Sequence, residues 1–263
     1  MLSSLSAFSG ANAIVTLHFQ LINSQGQVEV YDAATFTLHR HITVQGMSSW
    51  THGMTACARN KCLYLSNYSS NSVHRVELSG SNAVKQWHVA RWPQGLSVNI
   101  AQNLVVACSD ANKLQEYTTH GSLVREICLQ AGVTRPWHAV QLFTGDYVVS
   151  KCTSPGVVSV VGVDGQVVHS YGQSQTSDVG QMKYPSNLAV TKNDDILVAD
   201  EDNNRIVSIN RSTGCVQELA LKVDGGIQKP CDLCLDESRG RLFVGEYGGE
   251  HRVLVFGGVR LCC

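Results

Sequence analysis

The feature that most restricts the fold of this 263-residue chain is an internal repeat. Each repeat opens with an aromatic or basic residue followed by threonine or proline, and an apolar run begins within the next three residues. The threonine or proline recurs at steps of 42, 43, 49 and 45 residues, at Thr51, Pro93, Pro136, Pro185 and Pro230. A period of this length is typical of solenoids and propellers, in which one small unit is repeated.

Each repeat contains four short runs that look like strands. A second apolar run follows the start, as at 63–65 and 196–198, and an alternating run such as 206–209 comes after a polar turn. A more polar run such as 84–89 ends the repeat. Four strands per repeat are typical of a propeller blade, whose inner strands are covered on both faces. We therefore predict an all-β fold, a six-bladed β-propeller of four-stranded antiparallel sheets.

One propeller domain is expected to occupy residues 1–263. Upstream of residue 50, only the third and fourth strands of a blade are legible, at 28–32 and 35–44, so the N-terminal blade is expected to be incomplete or irregular. The predicted blades lie at approximately 12–45, 50–89, 92–129, 135–171, 184–221 and 229–262.

Composition excludes several classes of protein. Charged residues make up 16% and hydrophobic residues 43% of the chain, which argues against disorder and against a long solvated helical bundle. The net charge of −1 gives no bulk attraction to DNA or to anionic membranes. No apolar run approaches the roughly 18 residues of a membrane span, and residues 1–20 lack the features of a signal peptide. We expect a monomer in the cytoplasm that binds neither membranes nor DNA.

The chain has ten cysteines, most of them scattered through apolar stretches. A chain of this length can build a hydrophobic core without disulfides. We therefore expect buried free thiols rather than a disulfide framework.

Blade five resembles the NHL repeat. It has glycine-glutamine-aromatic-proline and an apolar strand within 180–190, a strand that ends in aspartate at 196–200, and an asparagine-arginine-isoleucine turn at 203–206. The second half of the pattern is also found at 251–256 in blade six and at 74–76 in blade two, whereas blades three and four lack the arginine.

The resemblance implies a six-bladed propeller that serves as a docking surface for proteins or RNA, as in the tripartite-motif NHL proteins. In that family the propeller is attached to RING, B-box and coiled-coil segments. No paired zinc-ligand motif precedes Trp50, and no heptad run occurs. The residues therefore indicate a propeller without these attachments, or a fragment of a longer product.

The expected binding surface is the face that carries the starts of the inner strands and the turns between the second and third strands. Loops on a rigid scaffold commonly carry function, and tryptophan, tyrosine and arginine dominate the energies of interfaces. The candidate residues are Trp50, Trp92, Arg135, Trp137, Tyr184 and Lys229 at the strand starts and Tyr68, Asp110, Lys151, Glu201 and Tyr247 in the turns.

Two interpretations of these aromatic residues stay open. They form a rim that binds a protein segment, or the tryptophans wedge between blades as part of the core. A further alternative is single-stranded RNA, because aromatic rings can stack on bases. Acidic residues on the same face oppose that alternative.

A second group of candidate residues is expected where the inner strands approach the propeller axis. The third residue after each repeat start is Gly53, Gly95, His138, Asn187 and Asp232 in turn. Calcium is held by a similar ring of side chains in six-bladed lactonases and esterases, so a metal-dependent hydrolase with His138, Asn187 and Asp232 as ligands is a further alternative. Two glycines supply no ligand, and no nucleophile-elbow or phosphate-loop motif is present. We therefore predict no metal, no cofactor and no enzymatic activity.

Overall fold

The computed structural model describes residues 27–32, 35–47, 53–78, 82–130, 132–172, 179–248 and 252–259, and it describes residues 2–7 and 14–19 by their backbone. These residues form 23 β-strands. The strands are β1 Leu2–Ala7, β2 Ile14–Phe19, β3 Gln27–Asp32, β4 Leu38–Thr43, β5 Met54–Cys57, β6 Cys62–Asn67, β7 Ser72–Glu77, β8 Val84–His88, β9 Pro93–Val98, β10 Leu104–Cys108, β11 Lys113–Tyr117, β12 Leu123–Cys128, β13 His138–Gln141, β14 Tyr147–Lys151, β15 Val157–Val161, β16 Val167–Tyr171, β17 Pro185–Val190, β18 Ile196–Asp200, β19 Arg205–Ile209, β20 Val216–Glu218, β21 Pro230–Asp236, β22 Arg241–Glu246 and β23 Val253–Gly257.

Helix plays a small part in the described regions. Two 3₁₀ turns of three residues occur there, Glu201–Asn203 and Glu237–Arg239. Within these regions, no helix has the length and apolar content needed to cross a bilayer.

The strands form an all-β propeller in which consecutive strands pair antiparallel. Five sheets have four strands each, and the sheet formed by β21, β22 and β23 has three described strands. The innermost strands contact one another in the order β1, β5, β9, β13, β17 and β21, and β21 also contacts β1. The first and last sheets therefore meet and close the ring.

The prediction of a six-bladed propeller of four-stranded sheets, with the N-terminal blade incomplete or irregular, is corrected by this count. Five sheets have the full set of four strands, not six. The N-terminal sheet, which was expected to be incomplete or irregular, has four strands and a register shift between Leu2 and Ser4. The three-stranded sheet is the C-terminal one.

Burial falls from the second strand of a sheet toward its outermost strand. All residues of β6, β10 and β18, each the second strand of its sheet, are buried. The outer strands β8 and β16 are mostly exposed. This difference is expected for sheets stacked around an axis, because neighbouring sheets cover both faces of an inner strand.

The hydrophobic core lies between neighbouring sheets rather than at one centre. One cluster joins Val148 and Val158 of the fourth sheet to Ile196 and Val207 of the fifth. Equivalent clusters occupy the other described boundaries between successive sheets. Each sheet therefore depends for its stability on the sheets beside it, as in other repeat proteins.

Buried serines link the inner part of one sheet to the next. The Ser66 hydroxyl donates to the Gln94 carbonyl at 2.9 Å, and the Ser150 hydroxyl donates to the Ser186 carbonyl at 2.6 Å. These carbonyls lie in the interior, where an unpaired backbone group would be costly. Serine is short enough to meet that requirement between closely spaced strands.

The glycines near the axis are required by this close spacing. A Cβ atom on Gly53 would lie 2.3 Å from the Gln94 carbonyl oxygen. A Cβ on Gly95 would lie 2.3 Å from the His138 ring and 2.8 Å from the Trp137 carbonyl oxygen. At both positions a neighbouring strand fills the space that a side chain would need.

We predict that Gly95→Ala lowers the free energy of unfolding by about 1–3 kcal/mol, because the added methyl group forces neighbouring backbone to move. The matched control is Gly257→Ala, since a Cβ at Gly257 would meet nothing within 4 Å. The control should stay within about 0.5 kcal/mol of the wild type. Urea denaturation of the three proteins measures the difference, and equal stabilities would show that the axis has spare room.

Candidate functional site

The strand starts and the turns between second and third strands lie at the same face, as predicted. The Ser109 amide, which begins a turn, donates to the Trp92 carbonyl at 2.9 Å. The Tyr247 amide donates to the Lys229 carbonyl at 2.9 Å in the same way. We call this surface the rim face.

A repeated hydrogen bond from a backbone amide to an asparagine side chain builds the rim face. Trp92, Arg135, Tyr184 and Lys229 all have left-handed backbone, with φ values from 46° to 58°. At three of these four positions, the backbone amide donates to the side-chain oxygen of an asparagine in the preceding blade, and that asparagine is also left-handed. The pairs are Trp92 with Asn71 at 2.9 Å, Arg135 with Asn112 at 2.7 Å and Lys229 with Asn204 at 2.8 Å. The Tyr184 amide donates to the Thr153 carbonyl at 3.0 Å instead.

A buried carboxylate organises the turn of blade five. Asp200 accepts from the Lys183 amide at 2.6 Å, from the Asn203 side chain at 2.7 Å and from Arg205 Nε at 2.8 Å. Arg205 Nη1 also donates to the Val179 carbonyl at 2.6 Å. Each of these groups is engaged with its neighbours, so the network holds the turn in place.

Blade six repeats this network with glutamate in place of aspartate. Glu246 accepts from Arg252 Nε at 3.0 Å and from the Gln228 amide at 2.6 Å. Residues 74–76 of blade two do not occupy the positions of this network. Left-handed Asn71 is the equivalent of left-handed Asn204 in blade five, and the residue after Asn71 is Ser72 rather than an arginine.

An aromatic pair lies on the rim face between blades two and three. The rings of Tyr68 and Trp92 stack with centroids 5.4 Å apart and an interplanar angle of 29°. The Arg91 guanidinium lies 6.0 Å from the centroid of Trp92, and Arg91 Nη1 is 3.3 Å from Asp110 Oδ2. Both rings are half-buried, and Arg91 and Asp110 are exposed beside them. We call these four residues the aromatic cluster.

Trp87 shows how a tryptophan packs between blades in this protein. Its ring lies between those of Tyr64 and Tyr117, with centroid distances of 6.2 and 6.1 Å, inside the core cluster of blades two and three. Trp92, by contrast, stacks on a turn residue at the surface.

A second group lies on the rim face over blades five and six. Tyr184 and Tyr247 are each 40% exposed. Lys229 Nζ forms an ion pair with Asp202 Oδ1 at 3.3 Å. Desolvation by burial, followed by the nearby charge of Asp202, raises the pKa of Glu201 to about 7, while Lys229 opposes the rise.

Seven of the predicted rim residues thus lie in two groups. Tyr68, Trp92 and Asp110 belong to the aromatic cluster, and Tyr184, Glu201, Lys229 and Tyr247 belong to the second group. Arg135 is exposed, Lys151 is half-buried at the end of β14, and Trp137 is half-buried with its backbone bonded to Ser150 and Gly95. Trp50 lies outside the described residues. Arg91 and Asp202 were missed by the sequence analysis, although each is next to a predicted rim residue.

A cavity of about 200 Å³ lies among the inner strands near the axis. Five inner strands contribute its lining, which includes Thr55, Ser97, His138, Asn187 and Cys234. Asp232 is buried but is not among the lining residues. The structure therefore brings His138 and Asn187 to one cavity without Asp232.

His138 has both ring nitrogens engaged. The Leu188 amide N–H donates to Nδ1 at 3.1 Å, which leaves Nε2 as the protonated nitrogen that donates to the Leu96 carbonyl at 3.1 Å. Desolvation by burial lowers the pKa of His138 to about 4, so the imidazole is neutral at pH 7. The ring joins the inner strands of three consecutive blades.

These contacts disfavour the metal-site alternative. His138 has no free nitrogen to offer a metal, and no three histidine, cysteine, aspartate or glutamate residues of the described chain are placed to hold one. Asn187 Oδ1 is buried and has no hydrogen-bond partner among the described residues. A single amide oxygen is too few for a calcium site, which needs six to eight oxygen ligands.

Comparison with known proteins supports the repeat and the fold. Residues 182–207, within blade five, match the NHL repeat family. No curated protein matches the chain in sequence. The link to tripartite-motif NHL proteins stays a prediction.

Several solved structures are similar in fold. Virginiamycin B lyase from Staphylococcus aureus is 10% identical with a TM-score of 0.64, over 96% of this chain and 83% of that chain. Kuenenia stuttgartiensis hydrazine synthase is 18% identical with a TM-score of 0.71, over 97% and 76%. A chain of a nidogen/laminin complex is 14% identical with a TM-score of 0.68, over 89% and 87%.

The comparison corrects the prediction that the chain is not an enzyme. At these identities the likeness shows the fold alone, and that fold occurs in a lyase and in a synthase. Active sites are built from particular side chains on a shared scaffold. The absence of familiar catalytic motifs was therefore not a sound reason to exclude catalysis.

We predict that neutral His138 makes stability depend on pH. Because the folded pKa of about 4 lies below the unfolded value of about 6.5, the unfolded chain binds an extra proton between these values, and stability falls as the pH falls. In His138→Asn this loss is absent. The difference in free energy of unfolding between wild type and His138→Asn should therefore decrease by about 3 kcal/mol from pH 7 to pH 4. Urea denaturation at several pH values measures this difference. A difference that does not change with pH would contradict the lowered pKa of His138.

Proposed function

We propose that the rim face is a docking surface for a protein segment, with the aromatic cluster as its anchor. The observation that supports this most directly is the stacked pair of Tyr68 and Trp92, which is half-buried at the surface rather than wedged between blades. A tyrosine, a tryptophan and an arginine together are the residue types most often found at the energetic centre of interfaces.

The cluster is well suited to binding because its backbone is held rigidly. The amide of Trp92 is bonded to Asn71, and its carbonyl is bonded to the amide of Ser109. A partner therefore does not have to order this segment, and the entropy cost of association is reduced. Arg91 and Asp110 add a charged edge that can bond to the partner's backbone or side chains.

The charge of the rim face supports a protein ligand over RNA. Arg91 is paired with Asp110, and Lys229 is paired with Asp202. Glu201 lies beside the second of these pairs. A groove for single-stranded RNA needs an excess of positive charge along the backbone path, and the pairing of Arg91 and Lys229 with carboxylates reduces that excess.

The nidogen/laminin complex offers an analogy for this use of the fold. A chain with a similar propeller there is part of a protein assembly. We propose the same general role for this chain, with the partner bound at the rim face.

The state of the cysteines supports the cytoplasmic location that we propose. Eight cysteines in the described regions are free thiols, among them buried Cys57, Cys62 and Cys108. Reducing compartments keep thiols in this form, whereas extracellular proteins tend to pair them.

We predict that Trp92→Ala and Tyr68→Ala weaken binding of peptides selected from a displayed library against the wild-type propeller. A loss of about 2 kcal/mol, or about thirtyfold in Kd, is expected for an anchor residue. The matched control is Phe143→Ala, which removes a 61% exposed aromatic ring from the turn between β13 and β14, on the opposite face. Fluorescence anisotropy gives the affinities.

The same variants distinguish the alternatives. Melting temperatures should change little, because the removed rings lie at the surface. If Trp92→Ala unfolds the propeller, the ring is part of the core and the docking proposal fails. Binding of single-stranded oligoribonucleotides that is lost in Trp92→Ala, with no peptide selected, would favour RNA instead.

A further inference from the structure

Cys57 and Cys62 face each other across the first hairpin of blade two. Cys57 ends β5, Cys62 begins β6, and the two are direct partners in the antiparallel register. Directly opposed residues in such a pair have Cα atoms about 4.5–5.5 Å apart. A disulfide spans Cα distances of about 4.4–6.8 Å, so the backbone spacing of this pair suits a disulfide.

No other pair of cysteines in the described strands is placed in this way. Cys231 and Cys234 lie on the same strand, β21, and Cys234 is paired in register with Phe243. Cys108 packs in the same apolar cluster as Cys57 and Cys62 but is paired in register with Lys113 and Pro93. Among the described strands, the opposition of two cysteines is thus particular to this hairpin.

The surroundings of Cys57 contain hydrogen-bond donors that favour its thiolate, and one acceptor, Gln102 Oε1, which lies 3.5 Å from Sγ. Asn60 Nδ2, in the turn that joins the strands, donates to Cys57 Sγ at 3.1 Å. A hydrogen bond from Cys62, with further bonds from Asn60 and the Arg59 backbone, lowers the pKa of Cys57 to about 6 although burial opposes this. The same thiol–thiol contact and burial raise the pKa of Cys62 well above its ordinary value. Cys57 is therefore the sulfur that loses its proton first and attacks first.

We propose that Cys57 and Cys62 form a redox-active dithiol that a hydroperoxide converts reversibly into a disulfide. The Cys57 thiolate attacks one peroxide oxygen, the O–O bond breaks, and the leaving hydroxide takes a proton to become water. Cys62 then attacks the sulfur of the Cys57 sulfenic acid, and the S–O bond breaks. The hydroxyl group leaves with the Cys62 proton as a second water, so two thiols lose two electrons and hydrogen peroxide gains them.

The pair lies directly beneath the surface. Cys57 is 1% exposed and Cys62 is fully buried. The adjoining turn residues Ala58, Arg59 and Lys61 are exposed, so a local opening of this hairpin gives a small oxidant access without unfolding of the propeller.

The test is a brief exposure of the folded, reduced protein to hydrogen peroxide, followed by alkylation of the remaining thiols and peptide mapping by mass spectrometry. Cys57 and Cys62 should lose their alkylation together and appear as one linked peptide that lacks two hydrogen atoms. Their oxidation should be at least about tenfold faster than that of Cys108, whose pKa is raised to about 12 by burial. Dithiothreitol should restore both thiols.

Three variants assign the roles of the sulfurs. In Cys62→Ser, oxidation should stop at a Cys57 sulfenic acid that dimedone captures, and in Cys57→Ser, Cys62 should stay reduced. Cys108→Ser is the matched control, since it removes a buried thiol from the same cluster and should leave the linked peptide unchanged. Circular dichroism establishes that each variant is folded.

Two results would overturn the proposal. One is oxidation of Cys57 and Cys62 in the folded wild type that is no faster than that of Cys108. The other is a disulfide from either residue to a different cysteine. If the serine variants do not fold, the peptide maps of the wild type and Cys108→Ser still decide the outcome.

Discussion

The close approach of the inner strands to the propeller axis is the constraint on which the rest of the structure depends. Sheets that radiate from one axis bring their innermost backbones together, so each carbonyl and amide there must find a partner. Ser66 and Ser150 supply hydroxyl donors across sheet boundaries, and His138 accepts one amide and donates to one carbonyl. Gly53 and Gly95 leave room for these contacts. The residues nearest the axis are thus selected for spacing and hydrogen bonding.

The rim face follows from the same framework but uses it differently. The left-handed asparagine of one blade binds the backbone amide of the next strand start, as in Asn71 with Trp92 and Asn112 with Arg135. Because this bond involves only the backbone of the second residue, it places no demand on that residue's side chain. A tryptophan, an arginine and a lysine can therefore occupy equivalent places. The scaffold is maintained while the chemistry of the rim face varies from blade to blade.

Much of the fold and part of the candidate site could be predicted from local signals. Apolar runs and polar turns marked the strands, and antiparallel pairing placed strand starts and turns on one face. The assignment of residues 74–76 to the repeat pattern was wrong because a short motif does not show where its strand begins. In blade two that point is set by left-handed Asn71. The exclusion of catalysis failed for a related reason, since missing motifs say little about sites assembled from separate loops.

The sequence by itself determined the repeated strands, the turns and the face on which aromatic residues collect, because these depend on neighbours within one repeat. Only the tertiary structure decided which side chains from different repeats meet. It stacked Tyr68 of one blade on Trp92 of the next, and it engaged both nitrogens of His138 with backbone from the two flanking blades. Such contacts join residues 24 to 50 positions apart, and their distances depend on how sheets pack around the axis. No pattern within a single repeat contains that information.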